Sequence, residues 1–354
     1  MCCVMKVIKE ASYLGMSFHE RMDFYKVPAL SVCVVEDGRI QTECFGYRDR
    51  ENKTEADEET LFQAASISKV LLVIAVLRLA EAGKINLDED IGQYTDADFY
   101  KTFDCQKHRV TLRNLLSHTA GFNIGGFTGY LYGMDIPSVD QILRGEYPAN
   151  NLPLFMQTPP TAKWEYSGGG YILAQKAICD VLSTEFEPLM QKWVLAPLGM
   201  RQSTFEQPLN TGTHANYACG YDVYNRKIAG GFSIMPELAA AGLWTTPKEL
   251  ALLEIELMRA MKGQSAFLSK DSMMEMTAKA MPGAPTGLGL FFPDDNSEGY
   301  YEHSGSNLGY VSEMCFQLKS QKGFVAMINS SVSSNFLNEM EDAAGRAFKL
   351  PPEK

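Results

Sequence analysis

The sequence predicts an α/β (α+β) fold: a mostly antiparallel sheet flanked by N- and C-terminal helices, with an all-helical insertion. Three observations predict it. Strand-like runs flank Asp37-Gly38 near the start and Lys319-Ser320-Gln321-Lys322 near the end, which marks a hairpin at each end of the chain. Helical patterns dominate between them, from Ser68 to about Leu198. Helical patterns also occupy both termini. The expected division places residues 1–62 and 204–354 in one discontinuous sheet domain and residues 63–203 in a helical domain. A small-molecule site is expected in the cleft between them.

Taken in order, residues from about Val4 to Tyr25 read as one helix with a broken apolar stripe, ended by Pro28. Ala29–Val35 and Ile40–Tyr47 form the first hairpin. A polar stretch runs from Arg48 to Glu59. The helix after Ser66 is apolar nearly all round, so it belongs in the interior, and Gly83 is its stop. Short helices are expected at Val110–Ser117 and Ser138–Arg144 and a longer one at Gly170–Leu182, and Glu185–Val194 runs up to a loop signal at Pro197–Met200. Strand signals return from about Thr204. Glu237–Gly242 reads as a small-residue helix or turn, and Thr246 with Pro247 opens another helix. Gly309–Leu318 and Gly323–Asn329 form the second hairpin, and Asn335–Phe348 closes the chain as an amphipathic helix.

At 354 residues, 45% hydrophobic and 21% charged, the chain suits one large or two interleaved soluble domains. Its net charge of −11 and the lack of a basic cluster argue against nucleic acid. The first ten residues lack a signal peptide's uninterrupted apolar core, and Val70–Leu77 is too short to span a bilayer. The expectation is a cytoplasmic protein with no membrane partner. None of the eight cysteines forms a Cys-x-x-Cys pair, so free thiols are expected. The five histidines are scattered, so no His-rich metal site is expected, and no cofactor is expected either.

The residues that carry chemistry begin with Ser66-Ile67-Ser68-Lys69. A three-residue offset puts Ser66 and Lys69 on one helical face, one turn apart. A serine hydroxyl becomes a nucleophile when a neighbouring base takes its proton, and a lysine can be that base. A helix start also favours a developing oxyanion. On its own a Ser-x-x-Lys occurs about once by chance in a chain like this. Three further stretches bear on it. In Tyr166-Ser167-Gly168, Tyr166 is either a general base beside a cation or a packing residue before an N-cap serine. In His303-Ser304-Gly305-Ser306, a glycine-rich strand edge offers a backbone N–H, or a loop carries an incidental histidine. His118, in Leu115–Phe122, is expected to be structural and hydrogen-bonded in the interior. No Gly-x-Ser-x-Gly elbow, zinc motif, phosphate loop or dinucleotide fingerprint is present.

The ordered set Ser-x-x-Lys, Leu-Leu-Ser-His-Thr-Ala-Gly, Tyr-Ser-Gly and His-x-Gly resembles the serine β-lactamase-like superfamily over nearly the whole chain. The branch it resembles holds class C β-lactamases, penicillin-binding proteins and related carboxylesterases. The resemblance implies a β-lactamase/transpeptidase-like fold. It implies Ser66 as acylated nucleophile, Lys69 in its proton network and Tyr166 as general base. It also implies backbone N–H groups of Ser66 and Ser306 as the oxyanion hole. His303, Gly305 and Gly168 would then contact substrate.

Two departures bear on the substrate. Gly168 stands where class C enzymes carry an asparagine, and His303 stands where many members carry a lysine. Both weaken recognition of a carboxylate-bearing peptide or β-lactam. The expectation is therefore a serine hydrolase forming an acyl-enzyme on small carboxylic esters. A β-lactamase or D-amino-acid peptidase is the first alternative, and a non-catalytic binding protein the second. The glycine-rich loop Phe122–Asp135 is a candidate lining of the cleft.

Overall fold

The computed structural model describes residues 3–10, 15–95, 108–292, 299–331 and 334–348. Cys2 and Cys105 lie outside them. Strands β1 (Ala29–Glu36) and β2 (Arg39–Asp49) meet at Asp37-Gly38, with φ of 53° and 72°. Positive φ at both central residues gives the turn a twist that matches its strands, so register locks from Glu36↔Arg39 outward. Beyond β2 lies the short β3 (Thr54–Glu55). On the other side of β1 come the last strands of the chain, β8 (Lys322–Ile328), β7 (Tyr310–Gln317) and β6 (Tyr300–Asn307). The six-stranded order is β3-β2-β1-β8-β7-β6, antiparallel at each pairing. A separate pair joins β4 (Phe62–Gln63) to β5 (Trp244–Thr245).

Both faces of the sheet are covered, which is why β1 reads as a continuous apolar run. Leu30, Val32 and Val34 point into a core closed by α1 (Cys3–Glu10), α2 (Phe18–Phe24) and the C-terminal helix, Ser334–Phe348. Cys33 and Val35 point the other way, into the larger core around α3 (Ser68–Glu81). Every side chain of α3 from Val70 to Leu77 is buried. At about 1.5–3 kcal/mol per large aliphatic side chain, that burial anchors the helix, so the serine at its entrance sits on a rigid support. The helices that follow among the described residues include α4 (Leu112–Leu116), α5 (Val139–Arg144), α6 (Gly168–Leu182), α7 (Phe186–Met190), α8 (Leu238–Ala241), α9 (Pro247–Met261) and α10 (Lys270–Thr277). The C-terminal helix is α11.

The structure departs from the sequence reading in three places. The single helix expected from Val4 to Tyr25 is two helices. Gly15 takes φ of +75°, and Ser17 and Glu20 form a capping box that starts α2 afresh. The strand signals after Thr204 give isolated bridges, such as Thr204↔Trp244 and Tyr221↔Lys227, and no strand before β5. Gly230 and Gly231, both at positive φ, interrupt that stretch. Thr111 caps α4 in a box with Asn114, so that helix begins after Val110.

One buried group makes the fold sensitive to pH. Glu254 on α9 is fully buried, and neither carboxylate oxygen makes a well-formed hydrogen bond. A Cβ on Gly323 would meet its Oε2 at 2.2 Å. Burial holds its pKa well above the usual carboxylate value, and the Phe324 amide offsets this only in part. The folded chain therefore binds this proton more tightly than the unfolded chain. The stabilisation is complete below the unfolded pKa and is lost as pH rises through the folded one. Glu254→Gln, which cannot ionise, is expected to gain about 2–4 °C in Tm relative to the parent at pH 8. At pH 5 the gain should shrink towards zero. Thermal melts across that range check this, and a difference independent of pH would count against it.

Candidate functional site

Ser66 lies in a tight turn, Ala65–Ile67, that leads directly into α3. The turn is wedged against the sheet. Ala64 N–H donates to Leu243 O at 2.9 Å, and Ser312 Oγ of β7 donates to Ala64 O at 2.8 Å. Ala65 has φ of +47°, a left-handed conformation costing a non-glycine residue of order 1 kcal/mol. Ser68 steadies the next turn, donating from Oγ to Ala65 O at 2.6 Å and accepting from Leu243 N–H at 3.0 Å. Ser66 itself is half-buried and reachable.

Lys69 follows one turn later and is 2% exposed. Its Nζ donates to Ser66 Oγ at 3.0 Å and to Ala240 O, on α8, at 2.7 Å. It also stands 5.1 Å from the centroid of the Tyr166 ring and 5.7 Å from that of Tyr171. The structure thus brings Lys69 to both Ser66 and the Tyr166 ring. The Tyr166 hydroxyl makes no hydrogen bond to a described residue.

The edge strand β6 forms the opposite wall. Gly305 is the point of closest approach: a Cβ there would lie 2.2 Å from Ala64 O and 2.5 Å from Ser312 Oγ. Only glycine lets the strand reach the serine turn. His303 and Gly305 are buried, while Ser304 and Ser306 alternate outward. As β6 is a sheet edge, half of its amides face away from β7.

His303 Nδ1 lies 2.7 Å from Ser304 O, so Nδ1 carries the proton and Nε2 keeps a free lone pair. Nε2 is buried without a partner. Burial first, then the Lys69 charge, push its pKa down to about 3. A contact that gains charge as pH falls through an ordinary histidine pKa is therefore absent.

Gly168 is buried at the start of α6, its N–H bound to Gly125 O at 3.1 Å. A Cβ there would meet Gly125 O at 3.0 Å and Phe127 Cε2 at 3.1 Å. The loop that carries Phe127 thus fills the space a longer residue at 168 would take. This is part of the glycine-rich stretch Phe122–Asp135 singled out as a lining.

Sequence reasoning missed Ala240, whose carbonyl holds Lys69, and carried no signal for it because a backbone group leaves none. It also missed how much His118 does. His118 is buried, as expected, and its Nδ1 accepts the Ser167 N–H at 3.0 Å. It also stacks on Tyr166, ring centroids 4.4 Å apart at 30°.

A twisted antiparallel sheet, its covering helices and a serine–lysine contact at their junction define the serine β-lactamase-like class of fold. The family model described as Beta-lactamase matches residues 17–347, and the chain belongs to that family. It is similar to the D-amino acid amidase from Ochrobactrum anthropi SV3, with a TM-score of 0.74, 21% identity and 98% of each chain covered. It is similar to the penicillin-binding protein from Bacillus halodurans, with a TM-score of 0.73 and 20% identity over 92% of this chain and 98% of that one. Protein flp of Staphylococcus aureus (strain MW2) is 23% identical over 320 residues, 86% of this chain. The chain spans about 60% of the length of that relative. Among the described residues no helix is long and apolar enough to cross a membrane.

Proposed function

We propose that this protein is a serine hydrolase that forms an acyl-enzyme on Ser66 and acts on small carboxylic esters. The observation that carries the reading is the 3.0 Å contact between Lys69 Nζ and Ser66 Oγ, at a rigid helix entrance beside the edge strand β6. In this reading Ser66 Oγ attacks the ester carbonyl, and its proton passes to the Lys69–Tyr166 pair. The backbone N–H groups of Ser66 and Ser306 hold the oxyanion. The alkoxide leaves with that proton, and Tyr166 then activates the water that cleaves the acyl-enzyme. Division into a sheet domain (1–62 and 204–354) and a helical domain (63–203), with the site between, is part of the proposal.

Preference for esters is supported by the walls. His303 is held neutral, so it offers a substrate carboxylate no cation. At 168 there is no side-chain amide, and Phe127 stands against the space such a side chain would enter. The second reading, a β-lactam or D-amino-acid amide substrate, is favoured by the likeness to the D-amino acid amidase. Steady-state assay of a short p-nitrophenyl ester beside a chromogenic cephalosporin separates them. The expected result is a higher kcat/KM for the ester; a higher value for the cephalosporin reverses the assignment.

A further inference from the structure

We propose that His118 is a positioning residue for the reaction: its ring holds Tyr166 in place beside Lys69 and Ser66. The inference rests on the reading of Tyr166 as the acid–base group.

One residue grips three successive positions. His118 O accepts the Glu165 N–H at 2.9 Å, its ring stacks on Tyr166, and its Nδ1 accepts the Ser167 N–H at 3.0 Å. The imidazole also packs against Tyr171, with centroids 5.1 Å apart at 32°. Trp164 closes the edge at 5.9 Å and 78°. The segment that presents Tyr166 is thus clamped through backbone and ring together. Tyr171 is itself pinned, donating from its hydroxyl to Leu116 O at 2.7 Å.

His118 has φ of +60°, a left-handed conformation that is uncommon outside glycine but that histidine adopts more readily than most residues. One feature of it goes against ordinary packing. With Nδ1 accepting, the proton sits on Nε2, and that N–H is buried with no partner. An asparagine would take the left-handed backbone more readily and could still accept the Ser167 N–H. What it cannot supply is the ring. The unpartnered N–H is therefore tied to the stack on Tyr166.

The imidazole must also stay neutral to serve there. The titratable groups facing it are Lys69, His303, Tyr166 and Tyr171. Burial, Lys69 and His303 all push its pKa well below the ordinary value. The clamp therefore does not change as pH passes through neutrality.

Two substitutions separate ring from hydrogen bond. His118→Asn keeps the backbone preference and an acceptor but removes the stack. His118→Phe keeps a ring and removes the acceptor. Ester kinetics from pH 5 to 10, with Tm, are the readouts. The expected result for His118→Asn is a kcat at least about tenfold lower, KM within about threefold, and an altered pH profile of kcat/KM. His118→Phe is expected to retain more kcat than His118→Asn even with a lower Tm. An unchanged kcat and pH profile in His118→Asn would overturn the inference, as would a kcat in folded His118→Phe no better than that of the asparagine. If His118→Phe does not fold, His118→Asn alone decides. Tyr166→Phe separates the two levels. Full activity in Tyr166→Phe removes the acid–base reading itself, whereas its loss beside a normal His118→Asn removes only the positioning role.

Discussion

Ser66→Ala is expected to lower turnover of the ester at least about a thousandfold while leaving Tm within about 2 °C. The two halves of this expectation come from different parts of the structure. Turnover falls because no other hydroxyl of the serine turn can take over. Ser68 is fully buried, with its Oγ committed to Ala65 O and to the Leu243 N–H. Stability holds because the deleted oxygen supports little. Lys69 keeps its 2.7 Å bond to Ala240 O when Ser66 Oγ is gone, so no buried cation is left unpaired. The wedge that shapes the turn runs through Ala64, Ser68 and Gly305. Labelling with a fluorophosphonate followed by peptide mapping is expected to modify Ser66 in the parent and nothing in the variant. Retention of more than a tenth of the activity by Ser66→Ala would exclude an acyl-enzyme on this residue.

What could be read from the sequence follows physical range. The Asp37-Gly38 hairpin was legible because its turn chemistry is local, and the observed positive φ at both residues is what Asp-Gly favours. The interior position of α3 was legible because a helix apolar on all sides has nowhere else to go. The break between α1 and α2 was also written locally, in Ser17 and Glu20, but a continuing apolar stripe masked it. The extent of β6 was not legible: His303-Ser304-Gly305-Ser306 has little β propensity. It is a strand because β7 pairs with it and because glycine lets it press on Ala64. At the site, helical spacing foretold that Lys69 would face Ser66, but the pattern alone stands at chance level, and its order with the other motifs is what singled it out. The role of His118 was not legible, because Leu115–Phe122 reads as the end of an apolar helix. Its stack on Tyr166 joins residues 48 positions apart in sequence, a contact that only the tertiary fold creates.

Lys69→Met is expected to lower kcat/KM for the ester at least about a hundredfold, because methionine fills the same space and carries no proton. The fold should survive. The Ala240 carbonyl loses its donor, which costs about 1–3 kcal/mol, but the desolvation cost of a buried ammonium is relieved at the same time. Loss of rate alone would not distinguish a proton carrier from a fixed charge that stabilises the oxyanion. Lys69→Arg does. A guanidinium keeps the charge yet does not release its proton in the accessible pH range, so a proton-transfer role predicts that arginine is as inactive as methionine. The two histidines report independently on whether the charge is still there. Burial first, and then the Lys69 charge, depress the pKa of both His118 and His303. Removing a positive neighbour favours an imidazolium, so in Lys69→Met the His303 titration should move up from about 3, as read by NMR of the imidazole protons. In Lys69→Arg it should stay low. Substantial activity in Lys69→Arg, with His303 still depressed, would show that the site needs a cation here and would move the proton to Tyr166. Inactivity of both variants, with opposite histidine titrations, would assign the proton transfer to Lys69.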